Sequence, residues 1–201
     1  MSGKPVLFCD FDGVLCHDRF WRSQPSHVFE AIQSFLFEEN RDTVMKWMLG
    51  KLTSEDIHFI IAKQLHLSYV NLFESFIAEC RSMSVNLFAL ASLTRLREKY
   101  ITILITVNTD SFNKYTVPAL GLARYFDRIV NSYDESMFKE DQQGALFRKY
   151  LSLYRAGVSS CLLYDDSPKV IAAFLALGGQ AHLVTASKSI DHYSEDLGAN
   201  T

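Results

Sequence analysis

The chain has little of what marks secreted, membrane-spanning or nucleic-acid-binding proteins. Its longest apolar runs reach about eight residues, against the ~20 that a membrane span needs. There is no basic excess: 20 Lys and Arg stand against 23 Asp and Glu, a net charge of −3. No basic stripe is therefore available to neutralise nucleic-acid phosphates. None of the four cysteines (Cys9, Cys16, Cys80 and Cys161) forms a C-x-x-C pair. Cys9 and Cys161 fall within apolar runs, where a small buried thiol is the ordinary expectation. The opening Met-Ser-Gly-Lys-Pro shows no signal-peptide pattern. Repeats, low-complexity tracts and a P-loop are missing as well. The expectation is a soluble, cytoplasmic protein with no membrane or nucleic-acid partner.

What is present is apolar residues, 48% of a 201-residue chain with fifteen Phe. That is enough for one globular domain, or one domain with an insertion. Val6 to Cys9 begins a series of short apolar runs that read as buried parallel strands. The others are Ile101 to Val107, Arg128 to Asn131, Cys161 to Tyr164 and Ala181 to Val184. Helical segments alternate with them at Leu87 to Tyr100, Gln142 to Leu153 and Val170 to Leu177. This alternation predicts an α/β fold with a doubly wound parallel sheet. Residues from about His17 to Met83 break it, because there the periodicity is helical throughout. Successive stripes are Val28/Ile32/Phe35/Leu36, Val44/Trp47/Met48, Ile57/Ile60/Ile61/Leu65 and Leu72/Phe73/Phe76/Ile77/Cys80. Thr53-Ser54-Glu55-Asp56 resembles a capping box, and Ser68 is a candidate N-cap. So long a helical stretch exceeds a simple crossover. The expected division is an α/β core from 1–16 and 84–201, with an inserted all-helical cap at 17–83.

The chemistry gathers at strand ends. The first strand runs into Asp10-Phe11-Asp12-Gly13, two acids followed by a glycine turn that bends both toward the carboxyl edge of the sheet. That edge is where open α/β sheets place ligands. Paired acids raise one another's pKa unless a cation sits between them, which suggests acid–base chemistry or a hard metal ion. The second strand delivers Thr106-Val107-Asn108-Thr109-Asp110 to a strand-to-helix junction suited to an anion. Lys139 precedes a helix, and the fourth strand runs into Asp165-Asp166-Ser167-Pro168.

In that order, acid-x-acid, hydroxyl, lysine and acid pair, the chain resembles the haloacid dehalogenase-like (HAD) hydrolase superfamily along almost its whole length. Asp10-Phe11-Asp12-Gly13-Val14-Leu15 is a highly specific form of its first motif. The helical insertion falls where phosphatase members carry a four-helix cap, and Gly50 to Asp56 resembles cap sequence of the sugar-phosphate phosphatase branch. The resemblance implies a Rossmann-like core and a magnesium-dependent phosphatase acting through an aspartyl-phosphate. Asp10 would be the nucleophile. Asp12 would protonate the leaving oxygen and then take a proton from water. Lys139 would offset charge, and Thr106 or Asn108 would donate to a phosphoryl oxygen. Magnesium would be held by Asp10, the Asp12 carbonyl and Asp166, with Asp165 behind them. Hydrolytic dehalogenases of the superfamily lack the second acid, so Asp12 points to phosphate esters.

Two positions depart from the family pattern. Val107 occupies the place directly before Asn108 where a Ser or Thr is usual, and Glu140 follows Lys139 in place of Pro. Either the strand end bulges to let Thr106 reach the phosphate, or Asn108 and Thr109 take over. The expected substrate is a small phosphorylated metabolite, a sugar phosphate or nucleotide. A phosphomutase or phosphotransferase would use the same intermediate, and a weakly active HAD-like binding protein is the reading from another class. Phe20 and Trp21 are expected to pack at the hinge. Arg19, Lys114, His58 and His66 are expected on the surface.

Overall fold

The structure, a computed structural model, describes residues 3–190. Five parallel strands lie in the order β3 (Arg128–Asn131), β2 (Ile101–Thr106), β1 (Val6–Cys9), β4 (Leu162–Asp165), β5 (Gln180–Leu183). β1 pairs with β2 through Val6↔Ile101 and with β4 through Leu7↔Leu162. The chain winds outward in one direction to β3 and in the other to β5, so strand order reverses beside β1. That crevice at the carboxyl ends is the natural ligand position in such a sheet.

Both faces of the sheet are covered, which is why its strands read as unbroken apolar runs. Leu7, Cys9, Leu104 and Tyr164 pack with Leu90, Leu93 and Leu96 of α5 (Leu87–Leu96). On the other face, Phe8, Ile103, Ile105 and Leu163 meet two helices. α8 (Asp141–Leu153) brings Leu146, Phe147 and Tyr150, and α9 (Pro168–Ala176) brings Val170 and Phe174.

A third apolar cluster forms between β1 and β2. It joins α1 (Ser26–Gln33) and its π-helical continuation (Ser34–Glu39) to α2 (Arg41–Met48), α3 (Ser54–Gln64) and α4 (Tyr69–Arg81). Trp21, Ile32, Leu36, Trp47, Ile57, Ile61, Leu72 and Phe76 lie at its centre. The expected stripes all reach this cluster except at Ile60. Thr53 closes a capping box with Asp56, and the Ser68 hydroxyl accepts from the Asn71 amide. Among the described residues no helix is long and apolar enough to cross a membrane.

Element ends shift from expectation for local reasons. The helix from Leu87 stops at Leu96, where Lys99 and Tyr100 turn back onto the Leu96 carbonyl. At the start of α8, Gln142, Gln143 and Gly144 are left-handed, and Arg148 donates to the carbonyls of Gln142 and Gln143. The second strand ends at Thr106, the fourth extends to Asp165, and the fifth spans Gln180–Leu183. Two short helices, α6 (Val117–Leu120) and α7 (Ser132–Glu135), complete the connections. The polar tail expected from Ser187 falls outside the described residues beyond position 190.

Candidate active site

Beyond Cys9 the backbone leaves the sheet and turns. Phe11 is fully buried, edge-on to Phe112 with ring centroids 4.8 Å apart. This anchors the middle of the acidic stretch in the core and leaves Asp10 and Asp12 at the carboxyl edge. Gly13 carries φ +72°, and a Cβ there would stand 2.0 Å from the Asp166 carboxylate. Only glycine lets the first and fourth strand ends approach so closely.

Asp10 is nearly buried. Its Oδ1 accepts the Phe11 amide at 2.7 Å, and its Oδ2 accepts from Lys139 Nζ at 2.6 Å. The same ammonium donates to Asp165 Oδ2, also at 2.6 Å. Lys139 is 2% exposed, so its neighbour Glu140 does not draw it away from the acids. Burial drives the Asp10 carboxyl up to about 7; Asp165 and Asp12 push the same way, and Lys139 only partly opposes them. Asp12 follows Phe11, its Oδ2 accepting from Asn108 Nδ2 at 2.8 Å. Burial lifts its carboxyl to about 6, against the pull of Lys139 and Arg19. Asp165 accepts the Ser167 amide on Oδ1 at 2.9 Å, whereas Asp166 is exposed.

Carboxylate oxygens of Asp10, Asp165 and Asp166 can all lie within 4.8 Å of one another. An all-oxygen set that already crowds three acids fits a hard divalent cation such as magnesium. The sheet thus unites Asp10, Asp12, Asn108, Lys139, Asp165 and Asp166 at one edge.

No family model and no curated protein matches the sequence. Solved structures do match in shape. A HAD family enzyme of Bacteroides thetaiotaomicron, solved with magnesium and inorganic phosphate, superposes with a TM-score of 0.72 at 17% identity, over 95% of this chain and 99% of that one. A 2-haloacid dehalogenase of Pseudomonas syringae gives 0.68 at 17% identity, over 98% and 100%. The fold is that of the HAD hydrolases.

Within the HAD fold, the second strand end keeps Thr106 away from the acids. Thr106 points into the core, 0% exposed, and its hydroxyl has no hydrogen-bond partner among the described residues. The strand does not bulge to bring it out, and Thr106 is the one expected site residue that stays apart from the rest. Val107 instead lines a cavity together with Asp12. Asn108 is the donor that does reach the acids. The Thr109 hydroxyl is spent on Ser111, 2.6 Å away.

Asp110, in the sequence only the last residue of the run from Thr106, ties the α/β core to the helical cluster. Its Oδ1 accepts from Trp47 Nε1 at 3.1 Å, the Ser54 amide at 3.0 Å and the Ser54 hydroxyl at 2.6 Å. Its Oδ2 takes Lys114 Nζ at 2.7 Å, so Lys114 is ion-paired although half its side chain is exposed. His58 corrects a second expectation, because it is fully buried. The Trp21 indole can only donate, and it does so to His58 Nε2 at 3.1 Å. Nδ1 therefore carries the proton and donates to the Ser54 carbonyl at 2.6 Å. His58 belongs to the buried row Ser54, Ile57, His58, Ile61, Ala62, whose 3–4 spacing was visible in the sequence. Arg19 and His66 are exposed, as expected, and Phe20 and Trp21 pack against Phe76 in the helical cluster.

Proposed function

We propose that the chain is a magnesium-dependent phosphatase of small phosphorylated metabolites, working through an aspartyl-phosphate, with residues 17–83 as its cap. The observation that carries this reading is the division of labour between the two acids. Asp10 is oriented by Lys139 and lies beside Asp165 and Asp166, while Asp12 is held by Asn108 and lines the neighbouring cavity. A displacement at carbon with halide leaving needs no acid in the Asp12 position; a phosphate ester needs one to protonate its leaving oxygen.

In this reading an Asp10 oxygen attacks phosphorus, and the P–O bond to the leaving group breaks as Asp12 delivers its proton to that oxygen. Asp12, now a carboxylate, takes a proton from the water that attacks the aspartyl-phosphate, releasing phosphate and restoring Asp10. Asn108 fixes the Asp12 carboxylate through both steps. Lys139 holds Asp10 and Asp165 in one orientation and offsets their charge. Magnesium, held by Asp10 and Asp166 with Asp165 beside them, would supply charge stabilisation for the phosphoryl oxygens. The magnesium and phosphate complex of the Bacteroides enzyme supports this reading by fold analogy.

A weakly active or binding-only protein is the second reading, favoured by Val107 standing where a donor is usual. Hydrolysis of p-nitrophenyl phosphate and a metabolite panel, with magnesium or with EDTA, separates the two. Metal-dependent phosphate release that disappears in Asp10→Asn is the expected result. No release from any ester in the presence of magnesium would reject the phosphatase.

A further inference from the structure

Asp12 faces a cavity of about 390 Å³ between the sheet edge and the helical cluster, within the size range of small-molecule sites. A leaving group protonated by Asp12 must extend into it. Its walls are largely apolar: Phe20, Phe37, Met48, Met83 and Val107. A sugar brings hydroxyls to every side, and those side chains would leave most of them without partners. Beside Asp12 the polar groups are Gln33, Asp18 and Arg19. Gln33 is one neutral partner, too little for a sugar's hydroxyls, and Asp18 is already committed, accepting the Ser84 amide at 2.8 Å and pairing with Arg22 at 3.6 Å. Arg19 differs. It lines the same cavity, is exposed, and its guanidinium has no ion pair or hydrogen bond among the described residues. It acts on Asp12 and Asp166 through charge alone, lowering both carboxyls against the burial that raises them. Lys139, the other cation of the site, is already held between Asp10 and Asp165.

We infer that the leaving group is an apolar or aromatic body carrying a second anionic group, a carboxylate or phosphate, which Arg19 binds within the cavity. This rests on the proposed phosphatase activity and makes Arg19 a specificity-determining residue. An arginine fork matches an anion of that kind in two parallel hydrogen bonds. The apolar wall takes the body between that anion and the ester oxygen.

The test compares 4-carboxyphenyl phosphate with its neutral isostere 4-carbamoylphenyl phosphate and with glucose 6-phosphate, using magnesium and the full chain. The expected result is a kcat/KM for the carboxylate ester about tenfold or more above that of the carbamoyl ester. In Arg19→Gln that ratio should collapse to about one, while Arg19→Lys should keep part of it. Equal rates on the two aryl esters would overturn the inference and leave the phosphatase standing. So would an Arg19→Gln loss of the same factor on both, which would place Arg19 on the transferred phosphoryl group. Faster turnover of glucose 6-phosphate than of either aryl ester would also overturn it. No magnesium-dependent release from any of the three, nor from p-nitrophenyl phosphate, would remove the phosphatase reading and the inference together.

Discussion

Two buried aspartates stand on neighbouring strand-end loops and have opposite characters. Asp110 meets four donors, from Trp47, the Ser54 amide and hydroxyl, and Lys114. Burial raises its carboxyl, but Lys114, Ser54 and Trp47 outweigh that and hold it below the usual range. Asp10 meets two donors and shares its cation with Asp165, so burial and like charges win and its carboxyl rises to about 7. A carboxylate that accepts from four donors is a structural tie. One kept short of partners among other acids is poised to react or to receive a cation. Fewer donors and stronger desolvation together set Asp10 apart from Asp110.

Substitutions at these positions should pull the comparison apart. Asp10→Asn should lower kcat by about 10⁴-fold or more, as removing a nucleophile does. It should leave thermal stability equal or higher, since Lys139 keeps Asp165 and one of the crowded acids is gone. A melting scan beside the rate measurement checks both. A large loss of stability would mean that Asp10 is a tie like Asp110. Asp110→Ala should do the reverse, costing about 3–5 kcal/mol in urea unfolding because buried donors on Trp47 and Ser54 lose their acceptor. An unchanged unfolding midpoint would show that the Asp110 network holds nothing.

His58 extends the same tie and gives it a pH dependence. Burial lowers its pKa from 6.5 to about 4, with the Ser54 carbonyl only partly opposing. Between those values the unfolded chain binds a proton that the folded chain refuses. Stability from this group is therefore whole above pH 6.5 and is lost as pH falls toward 4, by about 3 kcal/mol. The imidazolium would also set a second N–H against the Trp21 indole. His58→Gln should flatten that part of the stability profile, visible in unfolding series at pH 7 and pH 4.5. Parallel profiles for the two proteins would refute it. The smallest effect belongs to Val107→Thr. A hydroxyl on the cavity wall beside Asp12 should raise kcat/KM by about tenfold, less than the full worth of a well-placed transition-state donor. A rate unchanged or lowered would mean that Asn108 already meets the need.

The sequence showed the acids readily, and the tie poorly. Asp10, Asp12 and Asp165-Asp166 follow apolar runs directly, so strand and chemistry sit within one short window. Lys139 fitted by its place in the order of motifs. The cap stripes were visible because a helix face repeats locally. Asp110 and His58 gain their meaning from partners 37 to 63 residues away, a distance that no periodicity spans. His58 was still marked by its row with Ser54, Ile57 and Ile61; its polarity masked a burial that the spacing required. Thr106 failed for the opposite reason. The right residue type at the strand end drew attention, but strict alternation places it on the Leu104 face, inside the core.

Trapping the intermediate tests the central claim most directly. The protein is mixed with magnesium and p-nitrophenyl phosphate, quenched in acid within the first turnovers, and reduced with tritiated borohydride, which converts an aspartyl-phosphate to homoserine. Peptide mapping should place the label at position 10, and Asp10→Asn should carry none. Phosphate release with no label at position 10, or with the label on another carboxylate, would contradict Asp10 as the nucleophile.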